Sequence, residues 1–355
     1  MLRVSPRACA ERGAEQSTQP VPHVRRPRYS GAYPRSFAEK HKERASDPLT
    51  VSKIQAKGNT AAGTHRPICV LEILAALNPQ PGQVFVDCTL GYGGHSRELL
   101  RALGHGRLYG LDADAVELRK TEARLKAEYP GALLTCWHSN YAAVAKLVLE
   151  REPEGVHGLL ADLGLSSMQL DDPARGFTFK RDGPLDMRLD TTRGAPCSER
   201  LTRWDAETLE ALLRDNADEP RSAEVAAALV KAQAKSPLQT TTALAEAVRA
   251  ALPRGDLEVT ATTRRVFQAL RIAVNDEFAK LDALLLAVPA VLKPGGVAAF
   301  LTFHSGEDRR VKLALKAGLQ AGVYSDVSDM VRPSWEEQRA NSRSTSAKLR
   351  WARRA

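Results

Sequence analysis

The chain has 355 residues and a formal charge of +9, long enough for one large domain or two modest ones with a sizeable core. Residues 1–63 hold 12 basic and 5 acidic side chains, against 39 and 37 in the remainder; the body is therefore near neutral, and nucleic acid would have to meet local basic patches. Cys9, Cys69, Cys88, Cys136 and Cys197 are odd in number and contain no CxxC. That argues against a disulfide framework or a zinc site and for a reducing compartment, while no apolar run approaches a membrane span.

Taken in order, residues 1–63 read as a separate leader. Its first 38 residues carry seven arginines but only Glu11 and Glu15 as acids, with no sustained apolar face. This composition fits an organelle transit peptide, with the mitochondrial matrix favoured over the plastid stroma. A disordered basic tail, in a cytoplasmic protein if the source is bacterial, is the competing reading.

The globular body begins near His65. A short amphipathic helix is predicted over 67–77, with Ile68, Leu71, Leu74 and Leu77 on one face, stopped by Asn78-Pro79. Strands at 84–89, 107–112, 132–137 and 156–162 then alternate with helices at 94–103, 114–128 and 141–150, the order of a doubly wound parallel α/β sheet. Residues 171–197 form a long Gly-, Pro-, Asp- and Arg-rich loop, of a length that in a compact domain is usually functional. Helical patterns follow at 205–215, 220–234, 240–252 and 262–292. The turn Lys293-Pro-Gly-Gly296 leads into a fifth strand ending at Phe303, and 323–331 with 347–354 are predicted to close the sheet as an antiparallel pair. The domain reading is thus a discontinuous α/β unit, 64–170 with 293–355, interrupted by a substrate loop and helical insertion over 171–292.

The stretch VFVDCTLGYGGH, residues 84–95, carries the first chemical signal. Asp87 ends a strand, and Gly91, Gly93, Gly94 and His95 make a turn into a helix, but the spacing misses the dinucleotide GxGxxG by one and no phosphate-binding cation follows. A site without a phosphate cradle suits S-adenosylmethionine (SAM), and Asp112, ending the second strand, would accept its ribose hydroxyls. Asp162, ending the fourth strand, brings a third carboxylate to the same crevice. An exocyclic amine has its lone pair delocalised into the ring and needs such an acceptor to draw its protons aside during methylation. In the loop, Arg175 and Arg188 could hold phosphates, and Phe177 and Phe179 could stack on a base or pack in a core. The helix bearing Arg264, Arg265 and Arg271, with Asn275-Asp-Glu277 beyond it, reads more simply as a solvated face with Glu/Arg pairs. His304-Ser305 lies outside any GxSxG elbow, so nucleophilic catalysis is discounted, and nothing indicates a metal.

In order and spacing, DCTLGYGGHS, ADLGLSSMQLDDPARGFTFKRDGPLDMRLD, RRVFQALRIAVNDE, PGGVAAFLTFHSGEDRRVK and NSRSTSAKLR resemble the MraW/RsmH family, over about residues 65–355. The resemblance implies a class I, Rossmann-like SAM methyltransferase sheet with an inserted small helical domain. The activity it implies is N4-methylation of a cytidine in the decoding region of small-subunit ribosomal RNA. It implies that Gly93, Gly94, His95, Asp112, Tyr141, Asp162 and Gln169 contact SAM, with Tyr141 stacking on adenine, and it adds Asp87 and Gly91 through the shared turn. Asp162 is the expected catalytic acceptor, with His304 beside the substrate. Arg175, Phe177, Phe179, Arg188, Arg264, Arg309, Lys348 and Arg350 are expected to meet the RNA, free or in an assembling small subunit, and a homodimer is compatible with the family. Gly306 departs from it, standing where FHSLEDR has Leu.

Overall fold

The computed structural model describes residues 67–253 and 255–355, so the leader lies outside the described residues. Strands β1 (Val84–Asp87), β2 (Arg107–Asp112), β3 (Leu133–His138), β4 (Val156–Asp162), β5 (Leu292–Thr302), β6 (Tyr324–Val327) and β7 (Lys348–Arg354) form one sheet of order β3-β2-β1-β4-β5-β7-β6. Strands β1 to β5 are mutually parallel, and β7 runs antiparallel between β5 and β6. The apolar runs of β2 and β4 are buried on both faces, as strands covered by helices on either side must be.

Two apolar layers cover the sheet. On one side, α1 (Val70–Leu77), α2 (Gly94–Leu103) and α3 (Ala115–Glu128) bury Ile73, Leu99, Leu103 and Leu125 against Phe85, Leu108 and Leu160. On the other, α4 (Val144–Leu149), α11 (Glu277–Val291) and α12 (Ser305–Gln320) bury Val148, Leu284, Val288 and Val311 against Val86, Leu159 and Phe300. A third cluster, remote from the sheet, joins α7 (Ala206–Ala217), α8 (Ser222–Lys235), α9 (Thr241–Ala250) and α10 (Val259–Asn275) to Phe177, Leu185 and Met187 of the long loop. The short helices α5 (Ser167–Asp171), α6 (Cys197–Arg200) and α13 (Trp335–Ala340) complete the chain.

Two predicted elements differ. The helix expected over 262–292 is two helices, α10 and α11, separated by Asp276 in the left-handed conformation at φ 51°. Asp and Asn enter that region more readily than other side chains, and the break turns the Asn275 side chain into the long loop. In α1 the buried face is Ile73 and Leu77, while Leu71 is 79% exposed. The helix starts only at Val70, after Cys69 in a left-handed conformation, and packing against the sheet, more than apolar spacing, sets which face is covered.

Candidate active site

Asp87 is fully buried at the end of β1. Its Oδ1 accepts the Thr89 N–H at 3.0 Å and its Oδ2 the Ser96 hydroxyl at 2.7 Å. Burial pushes its carboxyl above the usual range, while the bonds from Ser96 and Thr89 pull the other way. The turn that follows passes through Gly91 at φ 48° and Gly93 at φ 70°, where a side chain would be strained. A Cβ on Gly93 would also lie 2.8 Å from the Thr121 methyl. Gly91 donates its N–H to Asp112 Oδ2 at 2.6 Å and accepts the Thr121 hydroxyl on its carbonyl at 2.7 Å. The turn is thereby fastened to α3 and to the end of β2.

Asp112 accepts a second backbone bond, from the Asp114 N–H on Oδ1 at 2.8 Å. Burial raises its carboxyl to about 6 despite both bonds. Asp162 ends β4 with its N–H donated to the Thr89 hydroxyl at 2.7 Å. Its carboxylate is about a third exposed, with Oδ2 3.4 Å from Nε2 of the buried His95. All three acids, with Gly91, Gly94, His95, Tyr141 and Gln169, face one cavity of about 580 Å³, ample for a nucleoside-sized ligand and a second group beside it. Burial raises the Tyr141 phenol, whose hydroxyl reaches the Glu277 carbonyl at 3.5 Å. Gln169 also acts locally, since Ser166 and Gln169 form a capping box that starts α5, each accepting the other's backbone N–H at 3.1 Å.

The long loop is less open to RNA than its composition suggests. Arg175 pairs with Asp114 and donates to the carbonyls of Arg188 at 3.1 Å and Leu189 at 2.9 Å, so it braces the loop and has little left for a phosphate. Arg188 borders the cavity, but Asp186 holds its guanidinium through two bonds of 2.7 and 2.8 Å. Phe177 is buried in the helical cluster, and Phe179 packs on Phe267 with ring centroids 5.2 Å apart, the core alternative and not an exposed stacking platform. Arg350 is buried in the sheet beside Asp308 at 2.7 Å, with Lys348 on the same carboxylate at 3.2 Å. Arg309 pairs with Asp218 at 3.2 Å on the surface. Arg264 is exposed. Of the eight side chains expected at the RNA, only Arg188 lines the cavity.

The opposite correction applies to the start of α11. Glu277 is buried and Arg271 half-buried; they are joined by two bonds of 2.9 and 2.8 Å, and with Asn275 they wall the cavity. They are not a solvated helix face. Asn275 accepts the Leu189 N–H at 2.7 Å and donates to the Met187 carbonyl at 2.7 Å, pinning the loop from the helical side. Met187 itself sits at φ 62°. The available sequence signal was the polar spacing Arg271, Asn275, Glu277 on an otherwise apolar helix pair. His304 caps α12, accepting the Glu307 N–H on Nδ1 at 3.4 Å, with Nε2 3.2 Å from the Glu307 carboxylate. Glu277, His304 and Glu307 bring ligand-type atoms within 4.8 Å of one another. Arg271 already occupies both Glu277 oxygens, so the group reads as an ion-pair network. The Gly306 departure has a steric reason, since a Cβ there would fall 2.5 Å from the Phe278 ring.

Three buried or half-buried carboxylates, with two glycines that let backbone approach a ligand, suit a cationic nucleoside without phosphate. The family model of the MraW methylases matches residues 62–355. The chain belongs to the MraW methylase family. Ribosomal RNA small subunit methyltransferase H 1 of Lachnoclostridium phytofermentans is 45% identical, with 96% of this chain and 95% of the relative covered. The H 2 enzyme of Alkaliphilus metalliredigens is also 45% identical over 93% of this chain and 97% of its own. The enzyme of Thermomicrobium roseum is 41% identical over 82% and 94%. The fold is therefore the class I sheet of a SAM-dependent methyltransferase, and SAM is its cofactor.

These relatives overturn the organellar assignment. They are bacterial, and a match covering 96% of the chain necessarily runs through much of residues 1–63. The Arg-rich, acid-poor leader thus falls largely within a match to bacterial proteins, which have no organelle to enter. Composition alone does not separate a transit peptide from a basic extension, and the bacterial cytoplasmic alternative is the one these relatives support.

Proposed function

We propose that this MraW-family chain methylates small-subunit ribosomal RNA, at the N4 amine of a cytidine in the decoding region. The observation that carries the reading is the convergence of Asp87, Asp112 and Asp162 on one cavity that the loop residues 188–190 also line. The relatives' names support the substrate class, and the need of a weakly nucleophilic exocyclic amine for an acceptor supports the amine.

SAM supplies an electrophilic methyl on a sulfonium. The chain's part is to position and to handle charge. Asp112 takes the ribose hydroxyls on the lone pairs its two backbone bonds leave free, and the Gly91–Gly94 turn brings main chain against the ligand. Tyr141 covers the adenine and Gln169 borders it. Asp162 draws an amine proton aside so that the nitrogen lone pair can face the methyl, and His304 borders the target base. No covalent cysteine takes part: burial raises the thiols of Cys69 and Cys136 to about 12, and raises that of Cys88 as well, which suppresses thiolate chemistry.

Mass spectrometry of small-subunit rRNA from cells lacking the protein tests the reading. Loss of N4-methylcytidine from the decoding region, restored by the purified enzyme with SAM and small subunits, is the expected result. An intact modification in the deletion strain would sink the assignment.

A further inference from the structure

His95 lies beside the strand-end carboxylates of Asp87 and Asp162. Its side chain is 8% exposed and faces the cavity, with Nε2 3.4 Å from Asp162 Oδ2. That approach is too poorly aligned for a hydrogen bond, which leaves Nε2 a buried nitrogen with no hydrogen-bond partner among the described residues. Such a nitrogen is costly unless something else completes it. The charged groups that act on it most are Asp162 at the end of β4, Asp87 at the end of β1, and Glu337 on α13. All are carboxylates.

We propose that His95 is the proton-carrying counterpart of the sulfonium, protonated while the cavity lacks a cationic sulfur and neutral while it holds one. The inference rests on the reading that the methyl donor lies beside Asp162. Two positive charges packed among the same few carboxylates repel, so an incoming sulfonium expels the His95 proton. A thioether does not. In the empty site burial works to push the imidazole pKa down, but Asp162 and then Asp87 outweigh it, and the net shift is upward. The carboxylates therefore favour the imidazolium in the empty site, and a second cation set among them disfavours it.

The same arrangement gives the reaction's proton a destination. The N4 nitrogen gains the methyl as the S–C bond opens, with that bond's electron pair left on sulfur, and it gives up one N–H proton. Asp162 accepts this proton and passes it to His95 Nε2. The crevice then holds a neutral thioether and an imidazolium in place of a sulfonium and an imidazole, so its net charge is the same before and after transfer.

Calorimetry on the full chain with SAM and with S-adenosylhomocysteine tests the idea without turnover. Both ligands share ribose, adenine and amino acid, so titration of Asp112 cancels in the ratio of their dissociation constants and only groups that sense the sulfur charge remain. As pH falls from about 8.5 to about 6, Kd(SAM)/Kd(homocysteine form) should rise, by up to about tenfold per unit below the His95 transition. In buffers of different ionisation enthalpy near neutral pH, SAM should release up to about one proton more than its thioether product. His95→Gln should flatten the ratio and equalise proton release, and His95→Asn is the second variant should the first fail to fold. Equal proton release by both ligands in the native protein would overturn the proposal. A pH slope surviving in His95→Gln would also overturn it and hand the sensing role to Asp87 or Asp162. Neither outcome bears on whether the target is the rRNA cytidine, which the rRNA measurement decides alone.

Discussion

The two walls of the cavity are both rich in charge but use it in opposite ways. On the sheet wall, Asp112 meets two backbone N–H groups and Asp162 only the loosely aligned His95, which leaves carboxylate lone pairs for a ligand. In the loop behind the other wall, Arg175 and the wall residue Arg188 are held by Asp114, Asp186 and main-chain carbonyls, and their charge holds the loop together. A carboxylate at a parallel strand's end is placed by the sheet and needs no side-chain partner to stay there. An arginine in a long irregular loop is itself what keeps the loop in place, because no ladder of backbone bonds does so.

The sharpest way to break the comparison is to remove one charge from each wall. Asp162→Ala should lower single-turnover methyl transfer by about 10²–10³-fold and leave RNA affinity near that of the parent. An equal loss of both would mean that Asp162 holds the loop wall as well. Arg175→Ala should do the reverse. It strands the nearly buried Asp114 carboxylate and two loop carbonyls, which should destabilise the protein by about 3 kcal/mol in urea unfolding. Arg175→Lys should not restore the loss, because one ammonium cannot span Asp114 and two carbonyls at once. Further from the cavity the contrast continues on a smaller scale. Arg350→Ala removes a buried partner of Asp308 and should cost stability, about 2 kcal/mol, whereas Arg264→Ala should stay within about 0.5 kcal/mol of the parent. If exposed Arg264 does meet phosphate, its loss should show in the salt dependence of RNA binding, reducing the slope by about 1.

The same distinction decides how much could be read from sequence. Period-2 and period-3.6 patterns located β2, β4 and α2 at their observed limits, because local geometry and one buried face dictate them. Once the strands were located, the acids at 87, 112 and 162 fell at their carboxyl ends, and a parallel sheet brings those ends to one edge. The partners of Arg175, Arg188, Lys348 and Arg350 were not legible in this way. Asp114 is 61 residues from Arg175 and Asp308 is 42 from Arg350, and an arginine awaiting a phosphate looks the same in sequence as one already paired. Arg271 and Glu277 failed in the other direction. Close in sequence, they looked like a surface pair, and the helix break at Asp276 sets Glu277 against Arg271 at the cavity. The leader misled because arginine content records charge and not destination.

Asp112 offers the finest test of the sheet wall, since the feature that prepares it for a ribose should burden the empty protein. Burial raises its carboxyl to about 6, while an unfolded chain releases that proton near the ordinary aspartate value of about 3.9. Between these values the folded state binds more protons than the unfolded one, so this group makes stability fall as pH rises through about 4 to about 6. Above that window the fold carries the full penalty of a desolvated carboxylate. Asp112→Asn removes the charge but keeps one acceptor oxygen for the two backbone N–H groups, so the net stabilisation of the unliganded protein should stay below about 1 kcal/mol at pH 8 or so. The gain should vanish near pH 4, where the parent carboxyl is protonated too. SAM affinity should fall in the same variant, because a neutral amide is a weaker acceptor for two ribose hydroxyls than a carboxylate. A variant less stable than the parent across the whole range would show that the Gly91 and Asp114 bonds outweigh burial, and the sheet wall would then be braced by its charges just as the loop wall is.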